Sequence, residues 1–204
     1  MRLVFMGTPR FAVPTLEAVL SAGHEVVAVF TQPDRPKGRG QQLATSPVKD
    51  CALAHQLRVE QPERVRRPEV VELLASFQAE SMVVVGYGQI IPQNIIDLPR
   101  LGIINVHASL LPKYRGAGPL QWAVANGERV SGVTTMRIDA GLDTGDILLM
   151  RETEIGPEET AIELGNRLSV MGAELLVETL NGLQQGTITP RPQDSAQADR
   201  KSVV

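Results

Sequence analysis

The chain has 204 residues, 43% of them hydrophobic and 21% charged, with a formal net charge of -3, which excludes a disordered or fibrous polypeptide and nucleic-acid binding through global charge, leaving only a local basic patch. A single cysteine, Cys51, excludes an internal disulfide and a multi-cysteine metal site. No stretch approaches the roughly 18 apolar residues of a membrane span, and the apolar run Leu3–Met6 is too short for a secretory signal, so a cytoplasmic protein with no membrane partner is expected.

Arg2–Met6 (RLVFM) is an apolar run stopped by Gly7 and predicts a buried strand. Phe11, Leu16, Val19 and Leu20 recur at helical spacing and predict a helix over Phe11–Ala22, ended by Gly23; Glu25–Phe30 predicts a second strand. Strand, helix and strand in that order form a βαβ unit with parallel strands. Helices are predicted at Val48–Leu57 and Pro68–Phe77. Ser81–Gly86 is the most apolar strand, and Gly102–His107 predicts another after the Pro92–Leu98 segment. The expected class is α/β, a Rossmann-like open and mostly parallel sheet with helices on both faces.

Beyond Pro119 the texture changes. Pro119–Asn126 predicts a short helix, and Val130–Asp139 and Asp146–Ile155 predict extended segments joined by a Gly- and Asp-rich loop. Thr160 and Glu163 fit a capping box, opening a long amphipathic helix that ends near Gly186. Its stripe of Leu164, Leu168, Met171, Leu175, Leu176, Leu180 and Leu183 reads as core packing. Pro190–Val204 is polar and aperiodic, the pattern of a mobile end or a severed linker. The expected organisation is one domain over residues 1–189 followed by that tail, with no internal repeat.

The turn Gly7-Thr8-Pro9-Arg10-Phe11 follows the first strand but carries a single glycine. A dinucleotide fingerprint needs small residues where backbone approaches the pyrophosphate, and Pro9 and Phe11 stand in the way, so NAD is not expected. Gly7 reads as the residue that closes a tight turn.

Asn105 and His107 alternate on the Gly102–His107 strand and so project from one face, at the carboxyl end where ligand crevices of open α/β sheets form. The loop Ser109–Gly118 is irregular and can present backbone polar groups. Asp139–Asp146 (DAGLDTGD) is a tight loop carrying Asp143. An amide, an imidazole and a carboxylate brought together can stabilise an oxyanion, move a proton and orient the imidazole. No serine or cysteine is indicated as a nucleophile, so direct transfer suits them better than a covalent route. Residue types alone leave another reading open, since a histidine on a strand is commonly structural and an aspartate in such a loop commonly caps a turn. His24 and His55 read as surface residues, and no metal site is expected.

The stretch NVHASLLPKYRG with DAGLDTGD resembles the folate-dependent formyltransferase family, whose signature is Asn-x-His, Ser-Leu-Leu-Pro and Arg-Gly followed by Asp-x-Gly-x-Asp-x-Gly. The segments Phe5–Ala12, Phe30–Gly40, Ser46–Lys49 and Val84–Pro92 are similar to the branch that formylates methionyl-tRNA, and the resemblance covers about residues 1–190. It implies 10-formyltetrahydrofolate as the formyl donor and a primary amine, that of methionine on initiator tRNA, as the acceptor. It also implies Asn105, His107 and Asp143 as the catalytic trio, the first two donating hydrogen bonds to the oxyanion. Ser109, Leu110, Leu111 and Pro112 match the folate-contacting loop, and Gln89, Ile90 and Ile91 match the segment lining the pterin pocket, although core packing is the other reading of the isoleucine pair.

Arg35, Lys37 and Arg39 cluster in Asp34–Gly40, which without the resemblance is a solvated surface loop. The resemblance makes it a loop reaching the acceptor end of initiator tRNA, with Lys113 and Arg115 adding contacts. Members of the methionyl-tRNA branch carry a second, tRNA-holding β-barrel domain, which these residues do not include, and Gly118 replaces a common alanine. A monomer is expected. Two alternatives remain: transfer to a small amine or amino sugar, for which three clustered basic residues have no use, and a folate- or tRNA-binding module without catalysis.

Overall fold

The computed structural model describes residues 1–37 and 42–198. They form two compact units, Met1–Ile103 and Ile104–Val204.

The first unit opens with β1 (Arg2–Gly7), α1 (Val13–Ser21) and β2 (Glu25–Phe30), the expected βαβ unit. There follow β3 (Arg35–Lys37), β4 (Gln42–Ala44), α2 (Pro47–Ala54), β5 (Val59–Glu60), α3 (Pro68–Ser76), β6 (Ser81–Val85) and α4 (Gln93–Ile96). Parallel pairing gives the order β5-β2-β1-β6. Leu3 and Phe5 on one face of β1 and Val4 and Met6 on the other have no exposed surface, so both faces are buried, as parallel sheets require. Gly7 has a packing reason: a Cβ there would lie 2.8 Å from the Phe5 ring and 3.1 Å from the Val85 carbonyl. Ser46 Oγ accepts from Lys49 N at 3.0 Å and caps α2, which stops at Ala54, short of the predicted Leu57. The antiparallel ribbon β3–β4 was not expected; the basic segment read as a loop is partly strand.

His24 is a correction. It is buried, at 8% exposure, with Nδ1 3.3 Å from the N-terminal ammonium and Nε2 unpartnered. It sits between Gly23 and β2, where the chain re-enters the sheet, so it is carried inward with the strand. His55 is exposed.

The second unit contains β7 (Ile103–His107), α5 (Pro119–Ala125), β8 (Val130–Arg137), β9 (Ile147–Glu154) and α6 (Ala161–Gln185). β8 runs antiparallel to both β7 and β9. The parallel part of this α/β fold therefore lies in the first unit. The capping box forms as expected: Glu163 N donates to Thr160 Oγ1 at 3.3 Å and Thr160 N to Glu163 Oε2 at 2.9 Å. Leu164, Leu168, Leu175, Leu176, Leu180 and Leu183 are buried, and Gly186 ends the helix in the left-handed conformation (φ 70°). Gly172 lets α6 approach the strands, since a Cβ there would lie 2.8 Å from Val106 Cγ1. No helix among the described residues is long and apolar enough to cross a membrane.

The segment after α6 departs from the expected mobile tail. Arg191 exchanges both backbone hydrogen bonds with Ile147, at 2.8 and 2.9 Å, and a short 3-10 turn follows at Ser195–Gln197. Polar composition hid an edge pairing that needs only backbone.

Gly172→Ala tests the approach of α6: its gain in helix propensity of about 1 kcal/mol is outweighed by overpacking of about 1–3 kcal/mol against Val106, so thermal unfolding occurs at lower temperature. Burial, then the N-terminal ammonium, holds His24 below its ordinary pKa, against a smaller opposite effect of Glu80. The unfolded chain therefore takes this proton first on acidification, so the stabilisation is complete above about pH 6.5 and is lost as pH falls through the lower folded value. The melting temperature of His24→Gln is expected to change less between pH 7 and 5 than that of wild type.

Candidate active site

The carboxyl end of β7 places Asn105 (9% exposed) and His107 (6% exposed) on one side of the strand, opposite Met136 and Thr134 of β8. The loop beyond His107 is lashed down at several points. Thr134 Oγ1 donates to the Ser109 carbonyl at 2.6 Å and accepts from Leu111 N at 3.2 Å, and Leu111 packs against Met136 and Ile147. Ser109 Oγ donates to the Lys113 carbonyl at 2.7 Å. Tyr114 then turns left-handed (φ 58°) with its ring buried. Its hydroxyl donates to Glu128 Oε1 at 2.7 Å and accepts from Asn126 Nδ2 at 3.0 Å. Burial pushes the Tyr114 phenol up, with Glu128 adding to the rise against Asn126, while the phenol's hydrogen bond and then Lys113 hold Glu128 below the usual carboxylate range.

The turn at Tyr114 aims its carbonyl at His107 Nε2, 2.9 Å away. A carbonyl only accepts, so Nε2 carries a proton. His107 Nδ1 is left to face Asp143, whose Oδ2 lies 3.6 Å away. The Asp143 backbone is also left-handed (φ 51°). Its Oδ2 accepts from Gly116 N at 2.8 Å, and its Oδ1 from Asn105 Nδ2 at 3.4 Å. Asp139 shapes the loop, accepting from Gly141 N at 3.0 Å and from Thr144 Oγ1 at 2.7 Å. At Gly145 a Cβ would collide with the Arg137 carbonyl, so the loop returns to β9 only through a residue without one. A buried amide, a buried imidazole and a half-buried carboxylate thus converge in the second unit. Such a set offers two hydrogen-bond donors to a developing oxyanion and a carboxylate to balance an imidazolium.

The other expected residues are placed variously. All four of Ser109, Leu110, Leu111 and Pro112 line a cleft of about 350 Å³ with Glu128 and Gln197; Ser109 and Leu111 are buried and tied into the loop, Leu110 and Pro112 half-buried. In the first unit, Gln89 spends its side chain locally, accepting from Val65 N at 2.7 Å and donating to the Pro62 carbonyl at 2.9 Å. Core packing holds for Ile91 (7% exposed) but not for Ile90, which is 90% exposed. Arg35 is exposed at the start of the β3–β4 ribbon, and Lys37 ends β3. Arg39 lies outside the described residues. Asp34, at the foot of the ribbon, pairs with Lys49 Nζ at 2.5 Å and accepts from Gln61 Nε2 at 2.8 Å, which holds its carboxyl below the usual range.

Lys113 is exposed and paired with Glu128 at 3.2 Å. Arg115 is a correction: at 5% exposure it presents no cation to a phosphate, and its Nε and Nη2 donate to Gln193 Oε1 at 2.9 and 2.8 Å. Tyr114, Gly116 and Gln193 all touch the trio or its loops; Gly116 stands in the Arg-Gly of the signature, whereas Tyr114 and Gln193 carried no signal of their own in the sequence. Glu17, Cys51 and His55 offer donor atoms within 4.8 Å of one another, but burial and then Glu17 push the Cys51 thiol up, towards the form that does not bind metal.

The sequence profile of the formyl transferase family matches residues 1–180. The methionyl-tRNA formyltransferase of Solibacter usitatus is 73% identical over 97% of this chain, and that of Koribacter versatilis is 62% identical over 97%. The chain spans 64% of the length of each of these relatives. Among solved structures, glycinamide ribonucleotide transformylase 1 of Symbiobacterium toebii superposes with a TM-score of 0.77 at 18% identity, covering 95% of both chains. The N-formyltransferase of Helicobacter canadensis, crystallised with folinic acid and dTDP-3-aminofucose, superposes at 0.70 with 21% identity, covering 98% of this chain and 70% of that one. These likenesses carry the α/β formyltransferase fold across the described length, and with a profile match over residues 1–180 the chain belongs to the formyl transferase family.

Proposed function

We propose that residues 1–189 are the catalytic domain of a methionyl-tRNA formyltransferase, transferring a formyl group from 10-formyltetrahydrofolate to the amine of methionyl-tRNA in the cytoplasm. The convergence of Asn105, His107 and Asp143 carries the chemistry, with Asp143 3.6 Å from the imidazole and 3.4 Å from the amide. The acceptor is supported by relatives of that name at 73% and 62% identity.

The residues present fit a folate. Ile90 holds out an apolar side chain at 90% exposure next to the main chain of Gln89 and Ile91, the surface a flat ring system would cover. When bound, 10-formyltetrahydrofolate supplies the formyl carbon and a nitrogen that departs from it.

The chain's own residues then have distinct tasks. Asn105 donates an amide N–H towards the oxygen that gains charge as the amine nitrogen bonds to the formyl carbon. His107 can hold a proton at Nδ1 while Nε2 stays bonded to the Tyr114 carbonyl, and an imidazolium so placed adds a second donor. These contacts strengthen as charge develops, so they lower the barrier and not only the ground state. Asp143 balances that imidazolium and, through a water, receives the proton leaving the attacking amine before it passes to the departing nitrogen. Losing one oxyanion donor costs on the order of 100-fold in rate.

Arg35, Lys37 and Arg39 supply, on this reading, an electrostatic contact with tRNA phosphates from the first unit, and Lys113 one from the second. The buried Arg115 has no part in it.

His107→Ala is expected to lower the turnover of formyl transfer by about 100-fold or more while donor binding, followed by titration, persists. Near-normal turnover in that variant would overturn the catalytic role. Transfer to methionyl-tRNA should fall steeply with added salt, and Arg35→Ala should lower kcat/KM for tRNA and reduce the salt slope by about 1. A chain that formylates a small amino sugar but not methionyl-tRNA, with rates indifferent to salt, would make the small-amine alternative the correct one.

A further inference from the structure

Gln193 lies beyond α6, in the segment whose composition reads as tail, yet its side chain is fully engaged beside the candidate catalytic carboxylate. Nε2 donates to two carbonyls of the aspartate loop, Asp143 O at 2.9 Å and Gly145 O at 2.7 Å. Oε1 accepts twice from the buried Arg115, at 2.9 and 2.8 Å. Both protons and both lone pairs of the amide are used, the full capacity of the group.

These four bonds join two backbone segments that meet again at one other point. Arg115 immediately precedes Gly116, whose N–H donates to Asp143 Oδ2 at 2.8 Å. Gln193 therefore grips the donor segment through Arg115 and the acceptor segment through the Asp143 and Gly145 carbonyls. Asp143 needs such a grip because its left-handed backbone (φ 51°) is a conformation that persists only when its surroundings over-determine it. Gln193 is itself anchored, since Arg191 exchanges two backbone hydrogen bonds with Ile147 and Asp194 caps the following turn by accepting from Ala196 N at 3.0 Å.

We propose that Gln193 is a positioning residue for Asp143: its amide ties the Arg115–Gly116 and Asp143–Gly145 segments together and so sets where the carboxylate stands relative to His107. What the carboxylate then does rests on the formyl-transfer reading; the geometric part does not.

Two substitutions separate this role from a merely structural one. Gln193→Glu keeps acceptor oxygens for Arg115, now with a charge that strengthens that pair, but offers no N–H to the two carbonyls. Gln193→Ala removes both functions. If Gln193 served only to satisfy the buried guanidinium, the glutamate variant would behave as wild type. As a positioning residue, it must fail in both variants. Turnover is expected to fall about 10- to 100-fold in each, the scale of a small misplacement of a catalytic group, with KM for 10-formyltetrahydrofolate unchanged to within about twofold. Asp143→Asn should lose activity by itself, and adding Gln193→Glu should lower it no further, because Gln193 acts through that side chain.

A second readout requires no turnover. Amide hydrogen exchange, measured by NMR, should accelerate at Gly116 N–H by more than about tenfold in Gln193→Glu, while Ile147 N–H, held by the Arg191 carbonyl, stays protected. Unchanged Gly116 exchange overturns the proposal, as does wild-type turnover in Gln193→Glu. A wild-type protein that transfers no formyl group overturns instead the reading of the site, and the exchange measurement still decides the geometry. Should the alanine variant not fold, the glutamate variant alone decides the matter.

Discussion

The hydrogen bond from His107 Nε2 to the Tyr114 carbonyl is the constraint on which the site depends. A carbonyl oxygen cannot donate, so the bond fixes a proton on Nε2 whatever the charge of the ring, and only Nδ1 is left to face Asp143. The imidazole is thus oriented by the main chain rather than by the carboxylate, whose 3.6 Å separation is too long for a hydrogen bond. That carbonyl points at the ring because Tyr114 is left-handed, a conformation that costs a bulky residue about 1–3 kcal/mol. Burial of the Tyr114 ring, and the hydroxyl held between Glu128 and Asn126, offset that cost. A network that looks like surface chemistry at Lys113 and Glu128 is therefore the outer support of the imidazole.

Asp143 repeats the device. Two non-glycine residues with positive φ, Tyr114 and Asp143, stand on two loops joined by the Gly116 N–H. One delivers a backbone acceptor to the histidine, the other a side-chain acceptor to the same pocket. Each loop is held at its base by a residue with no reactive part: Thr134 bridging Ser109 and Leu111, and Asp139 bridging Gly141 and Thr144. Placing functional groups on loops while rigid strands fix the loop bases is how a fold combines unusual backbone with a stable core.

How much of this could be read from sequence depends on the range of each interaction. Period-two alternation put Asn105 and His107 on one face, and the capping box and leucine stripe of α6 are equally local, so all were legible. The Gly- and Asp-rich loop made Asp143 a candidate, and the resemblance joined it to the other two. The β3–β4 ribbon was missed because its two strands are three residues each and carry no apolar alternation. His24 was read as a surface residue and Arg115, through the resemblance, as a phosphate contact; one is drawn in by the strand it precedes and the other is held by an amide 78 positions away. Gln193 belongs to a stretch with the composition of a tail, and its partners lie 48 and 50 positions upstream. A side chain bonding to backbone carbonyls at such a separation leaves no periodicity.

The positions of the basic residues separate two duties that the sequence could not. Arg115 is charged but sealed, so its charge acts on Gln193 and the loops, not on a ligand. Lys113 is exposed but pairs with Glu128, and Glu128 also accepts the Tyr114 hydroxyl. A phosphate drawing on Lys113 must compete with that carboxylate, and any shift of Glu128 is felt at the residue whose carbonyl orients His107. Arg35 is exposed in the first unit, at the start of the ribbon whose foot, Asp34, is held by Lys49 and Gln61. With a net charge of -3 on the whole chain, any attraction of a polyanion would have to come from a local cluster of cations and not from the global charge.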